Sequence, residues 1–316
     1  MSSGNAKHRG VPGTLRIFQA FGINVYLHWS WALVAIIELQ VRHSSYSSQM
    51  WNLAEYVSLF GIVLLHEFGH ALACLSVGGR VDRILLWPLG GIAYVRPPRR
   101  PGAFLWSLAA GPLVNVVLIP VTFGLMIAFG GPNADSPSDF QTYLKMITLI
   151  NLVLLIFNML PIYPLDGGQI LQSILWFFIG PHRSLTVAAT VGLVGAGGVV
   201  VLAMYWADAW LIILALFGAS RSWQGLKTAK AMAGLLAFPR HVGTRCPACR
   251  EAAPLGPFWR CHCGQPFDTF ATAGCCPQCG ARHETTGCPL CGESNPHVTW
   301  LTLAGGTLPQ PGSRLT

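Results

Sequence analysis

Two imidazoles and a carboxylate, His66, Glu67 and His70, stand in the stretch LLHEFGHALA inside a long apolar run. On a helix, residues four apart project from one face a turn apart, so His66 and His70 can share one tetrahedral zinc. Glu67 between them is placed to act on a water as a general base. This is the HExxH pattern of zinc hydrolases, in which the metal makes water a usable nucleophile near neutral pH. The same residues could instead line an internal packing seam or a proton path. The cost of holding ionisable groups at membrane depth favours a functional role.

A third donor is offered by NMLPIYPLDGGQILQ, residues 158–172. Asp166 follows two prolines and precedes two glycines, so a helix is interrupted there, and broken backbone at membrane depth must be buried in protein or line a cavity. A turn or N-cap role for Asp166 is the competing reading. Depth brings the donors together. A span entered near residue 53 carries His66 about 20 Å inward at 1.5 Å per residue. The span entered from the same side near residue 142 brings Asp166 to a similar level.

The elements that must position these groups are apolar. Of 316 residues, 52% are hydrophobic and 10% charged, with a mean hydropathy of +0.49. Soluble domains carry about 25% charged residues. Apolar stretches of spanning length predict an all-α polytopic membrane protein with six spans: 24–41, 53–77, 103–130, 142–160 running into 161–180, 185–206 and 207–221. The first twenty-two residues are polar and basic and do not read as a secretory signal. The net charge of +8 is concentrated in alternate loops: Lys7, Arg9 and Arg16, then Arg80 to Arg100, Arg183, and Arg221 to Lys230. The positive-inside rule then predicts both termini in the cytoplasm. It also accounts for the charge better than a nucleic-acid-binding surface does.

Nine of the ten cysteines lie between 246 and 291; Cys74 is the exception. The sequence therefore divides into a membrane body over 1–225, a linker over 226–243, a cytoplasmic zinc-ribbon-like domain over 244–300 and a flexible tail over 301–316. CPACREAAPLGPFWRCHCG supplies Cys246, Cys249, Cys261 and Cys263. CCPQCGARHETTGCPLCG supplies Cys276, Cys279, Cys288 and Cys291, with Cys275 spare. Paired knuckles of this kind predict two structural zinc ions. The fourth ligand of the first set is open between Cys263, His262 and a residue shared with the next unit. Disulfides are the competing reading, and a reducing cytoplasmic compartment disfavours them. A module so small suits binding of a protein partner or a ligand, and its few arginines argue against nucleic acid.

HEFGH followed by NMLPIYPLDGG resembles the site-2 protease family of intramembrane zinc metalloproteases. VYLHWSWAL (25–33), WPLGGIAYV (87–95) and AAGPLVNVVL (109–118) are similar to that family's first-helix signature, re-entrant hairpin and third-helix G-P-x-x-N. The resemblance implies one catalytic zinc held by His66, His70 and Asp166, with Glu67 as catalytic base. It implies that Asn115 and Asn158 help to hold substrate or the oxyanion. It also implies a small β-hairpin carrying Gly90 and Gly91, whose edge pairs with an unwound membrane protein substrate. Regulated intramembrane proteolysis in a bacterial cell membrane is the role it suggests. Where relatives carry CBS or PDZ modules, this chain has the zinc-ribbon pair. A membrane metal transporter or sensor using the same ligands is the alternative. It would need ionisable residues continuing to both faces, and AFLWSLAAGPLVNVVLIPVTFGLMIAF contains none.

Overall fold

The computed structural model describes residues 12–33, 35–36, 46–87, 90–129 and 138–302. It divides into two compact units, Met1–Ser222 and Trp223–Thr316.

The first unit begins with β1 (Thr14–Ala20) and β2 (Ile23–His28), followed by the long helix α1 (Gln49–Ser76). Strands β3 (Arg80–Trp87) and β4 (Gly90–Arg96) come next, then α2 (Pro101–Ala128), α3 (Asp139–Asn158), α4 (Asp166–Ile179), α5 (Pro181–Trp206) and α6 (Ala209–Ala237). Four of these helices, α1, α2, α3 and α5, are long and apolar enough to cross a membrane. The count of six spans is therefore not reproduced among the described residues. Of the expected span 24–41, residues 24–28 belong to strand β2, and 37–41 lie outside the described residues. The strand assignment has a local cause: INVYLH alternates, with Ile23 and Val25 buried, which is a period of two. The last expected span and the first part of the expected linker form one helix, since α6 continues to Ala237.

The hairpin, too, is larger than expected. Four strands form one sheet in the order β1-β2-β3-β4, with β2 and β3 parallel and the outer pairs antiparallel. A parallel pair needs a long connection, and α1 provides it. The sheet packs its apolar face on α1 through Ile23, Val25, Ile84 and Leu86 against Val63 and Ala71. The opposite side of α1 meets α2 and α3 through Ile62, Met126, Leu144 and Ile147. Helix α1 is thus the central element of the unit. Lipid offers no hydrophobic drive for helices to associate, so close backbone approach matters. A Cβ on Gly69 would lie 2.6 Å from the Ala110 carbonyl oxygen, which marks the α1–α2 crossing.

Helix ends follow local rules. Ser138 and Gln141 form a reciprocal capping box at the start of α3, and α2 and α5 each open with proline in the first turn.

The second unit, beyond the C-terminal part of α6, is small and irregular. Its hairpins are β5 (Trp259–Arg260) with β6 (Pro266–Phe267), and β7 (Thr285–Gly287) with β8 (Ser294–Pro296). Residues 301 and 302, expected as flexible tail, complete the short helix α7 (His297–Thr302); 303–316 lie outside the described residues. Trp300, Phe270 and Ala253 pack with Cys246, Cys288 and Cys291. A second cluster joins Phe267 to Cys261 and Cys276.

Candidate metal centres

His66 and His70 lie on one face of α1, about 5% exposed each. Asp166 is the first residue of α4. Its Oδ2 stands 3.0 Å from His66 Nε2 and 3.4 Å from His70 Nε2, and the two Nε2 atoms are 3.1 Å apart. The carboxylate that the sequence left open between turn, cap and ligand is turned to the imidazoles. Donors about 2.0–2.1 Å from a tetrahedral zinc stand about 3.3 Å from one another, close to the spacing seen.

The proton positions can be read from the partners. His70 Nδ1 is 2.8 Å from the backbone carbonyl of Ser107, which can only accept, so Nδ1 carries the hydrogen. His66 Nδ1 is 2.5 Å from Asn115 Oδ1, also an acceptor. As neutral imidazoles, both rings so oriented turn Nε2 lone pairs toward a carboxylate. Three electron-rich atoms facing one buried point repel one another unless a cation lies between them. This donor set fits zinc.

Helix α2 supplies this support from one stripe. Ser107, Gly111 and Asn115 are four apart and share a face. A Cβ on Gly111 would collide with the His70 ring. In G-P-x-x-N, glycine thus admits one imidazole and asparagine orients the other. Asn115 is fully buried, with both ends of its amide engaged: Oδ1 by His66, while Nδ2 donates to Asn151 Oδ1 at 2.6 Å. That geometry favours support of the ligand over the substrate contact implied by resemblance. Asn151 was not singled out from the sequence, although a lone amide within ITLINLVLLIF is costly in lipid and marks a site worth testing.

Glu67 is buried against β4. A Cβ on Gly91 would run into its carboxylate, so only glycine lets the strand pass this close. Gly90 begins β4 at φ +134°, a conformation suited to glycine. β4 pairs with β3 on one side and with no strand on the other among the described residues. Asn158, half-buried, ends α3, and its amide makes no hydrogen bond among the described residues.

In the second unit the cysteines form two groups of four: Cys246, Cys249, Cys288 and Cys291, and Cys261, Cys263, Cys276 and Cys279. The pairing is nested rather than sequential, with the inner group formed within the segment that separates the outer knuckles. Sulfur separations are 3.7 Å for Cys246–Cys291, 3.8 Å for Cys249–Cys288, 3.5 Å for Cys261–Cys279 and 3.7 Å for Cys263–Cys276. Disulfides would need about 2.05 Å. Four thiolates about 2.3 Å from one zinc stand about 3.8 Å apart. The backbone N–H of Cys279 pulls the Cys276 thiol down to about 7, against the burial that opposes it. His262 and His283 lie beside Cys261 as a three-donor alternative, but Cys263 completes a set of four sulfurs. Cys275 belongs to neither group.

Each knuckle closes with the same turn. The N–H groups of Arg250, Gly280 and Gly292 donate to the carbonyls of Cys246, Cys276 and Cys288, at 2.8, 3.0 and 2.7 Å. In the Cys261 knuckle, one residue shorter, Gly264 donates at 2.9 Å. The C-x-C spacing is therefore a compact version of the other three.

A polytopic membrane fold carrying HExxH on its central helix, with an aspartate brought to it from a broken helix, defines the class of membrane-embedded metallopeptidase folds. The profile of Peptidase family M50 matches residues 54–134 and 125–202, and the chain belongs to that family. The chain is 32% identical over 181 residues to a zinc metalloprotease of Methanocaldococcus jannaschii, covering 57% of this chain and 50% of that one. It is 35% identical over 115 residues to the stage IV sporulation protein FB of Bacillus subtilis, covering 35% of this chain and 36% of that one. The chain thus spans about half the length, or less, of these curated relatives. The solved site-2 protease from Methanocaldococcus jannaschii matches with a TM-score of 0.50 and 27% identity, over 67% of this chain and 95% of that one.

Proposed function

We propose that the chain is an intramembrane zinc metalloprotease that hydrolyses a peptide bond in or next to a transmembrane segment of a membrane protein. The observation that carries this reading is the convergence of the two Nε2 atoms and the Asp166 carboxylate on one point, beside Glu67 and an edge of β4 that pairs with no strand among the described residues. His66, His70 and Asp166 are the zinc ligands. When bound, zinc supplies Lewis acidity, polarising the scissile carbonyl and lowering the pKa of water. Glu67 takes a proton from the attacking water and returns one to the departing amine. The edge of β4 at Gly90 and Gly91 takes an unwound substrate as an added strand, since a helix hides its peptide bonds from attack. The unengaged amide of Asn158 is suited to the carbonyl oxygen of that substrate.

The two cysteine groups hold one structural zinc each, giving three zinc ions in all. Six spans with both termini in the cytoplasm of a bacterial cell, and a partner for the zinc-ribbon tail, complete the reading. Release of a membrane-tethered regulator is the role this architecture suits.

The test is Glu67→Gln in the full chain, with cleavage of a candidate membrane protein and zinc content measured together. Zinc retained with cleavage lost supports the proposal; unchanged cleavage overturns it.

A further inference from the structure

We infer that Asn151 is a positioning residue that decides which nitrogen of His66 carries the proton, acting through the amide of Asn115. It rests on the reading of His66 as a zinc ligand. The backbone carbonyl of Asn115 can only accept, so the Asn151 atom 3.0 Å from it is Nδ2, donating. This fixes the orientation of the Asn151 amide and leaves its Oδ1 facing Asn115. An oxygen there requires a donor, so Asn115 presents Nδ2 to it, at 2.6 Å. The other end of the Asn115 amide is then Oδ1, which accepts from His66 Nδ1 at 2.5 Å. With its hydrogen on Nδ1, the neutral His66 ring offers a lone pair at Nε2 to the point shared with His70 and Asp166.

Each member of the relay is buried: Asn115 and Asn151 have no exposed surface and His66 is 5% exposed. With Asn151 absent, nothing else described fixes the Asn115 amide. A turned Asn115 would present its NH2 to His66 Nδ1, making that nitrogen the acceptor. The ring hydrogen then moves to Nε2, where it blocks metal ligation. The hydrogen bond made by the second ring nitrogen sets the tautomer of a ligand histidine, and loss of such partners costs about 10–100-fold in metal affinity.

The experiment compares Asn151→Leu, Asn115→Asp and the double variant in the full chain, reading zinc affinity at the membrane site by chelator competition. The ion released by Asp166→Ala identifies that site. A carboxylate at 115 accepts from Nδ1 in either orientation, so it needs nothing from residue 151. Asn151→Leu should weaken zinc about 10–100-fold, while the double variant should bind within about threefold of Asn115→Asp alone. An equal loss from Asn151→Leu in both backgrounds would make its role mere packing and overturn the inference. So would no loss in either. If Asp166→Ala releases no ion, the ligand reading itself fails, independently of Asn151.

Discussion

In the membrane unit, two donors on α1 meet a third that lies 100 residues further along, whereas in the tail each cysteine group is made of two short turns. The membrane donors are held by packing and hydrogen bonds that exist without a metal: Ser107 and Asn115 orient the imidazoles, and α1 is wedged between the sheet and two helices. The tail has a smaller core, in which Trp300, Phe270 and Phe267 pack on its cysteines. Its hairpins are two or three residues per strand, and six of its cysteines form part of its apolar clusters. Three donors leave a coordination position open for chemistry, and four close it. A reactive site needs a scaffold able to stand without its metal. A structural site can let the metal be the scaffold.

Removing metal should separate the two regions most strongly. Structural zinc contributes an apparent ~10–16 kcal/mol to small cysteine modules. Chelation should therefore unfold the tail, read as its rapid proteolysis, while the helical signal of the membrane unit persists. A metal-free tail that stays protease-resistant would show that its core suffices alone. The next effect addresses that core. Trp300 is fully buried, so Trp300→Ala should destabilise the tail by about 3–5 kcal/mol, measured by its unfolding midpoint with zinc present. Cleavage and membrane-site zinc should be unaffected in the folded fraction; loss of that zinc would tie the two regions together. Gly91→Ala acts in the other region. Its methyl collides with Glu67, so cleavage should fall about 100-fold, equivalent to about 2.7 kcal/mol in the barrier, with zinc content unchanged. A variant that cleaves normally would remove the close approach of β4 from the mechanism.

The sequence carried the two regions unequally. The gathering of His66, His70 and Asp166 at one point, with Glu67 beside them, was legible because ionisable groups are costly in an apolar chain and their spacing is restrictive. Asn151 was not singled out, because its partners lie on another helix and its role is to orient Asn115 rather than to touch a donor. The N-terminal strands were missed for a different reason. INVYLH runs into an apolar stretch of spanning length, and a window of about twenty residues averages its alternation away. In the tail the cysteines announced themselves, but nesting depends on which turns fold back on which, and local spacing does not contain that information. The C-x-C of Cys261 and Cys263 looked irregular only until its turn could be laid beside the other three.

That shared turn also yields the smallest test. The residue following the second cysteine adopts positive φ in every knuckle: +71° at Gly280, +74° at Gly292, +89° at Gly264 and +63° at Arg250. Three are glycine, for which this region is open, and the fourth is an exposed arginine. A side chain in left-handed geometry costs roughly 1–2 kcal/mol, and glycine returns about 0.5–1 of this through the greater freedom of its unfolded chain. Arg250→Gly should therefore stabilise the zinc-loaded tail by under about 1 kcal/mol, a rise of a few degrees in its transition. Gly292→Ala, which places a side chain in the same geometry, should lower it. If Arg250→Gly lowers the transition instead, the arginine side chain contributes a contact that outweighs its strain. The first knuckle would then differ from its three counterparts in more than sequence.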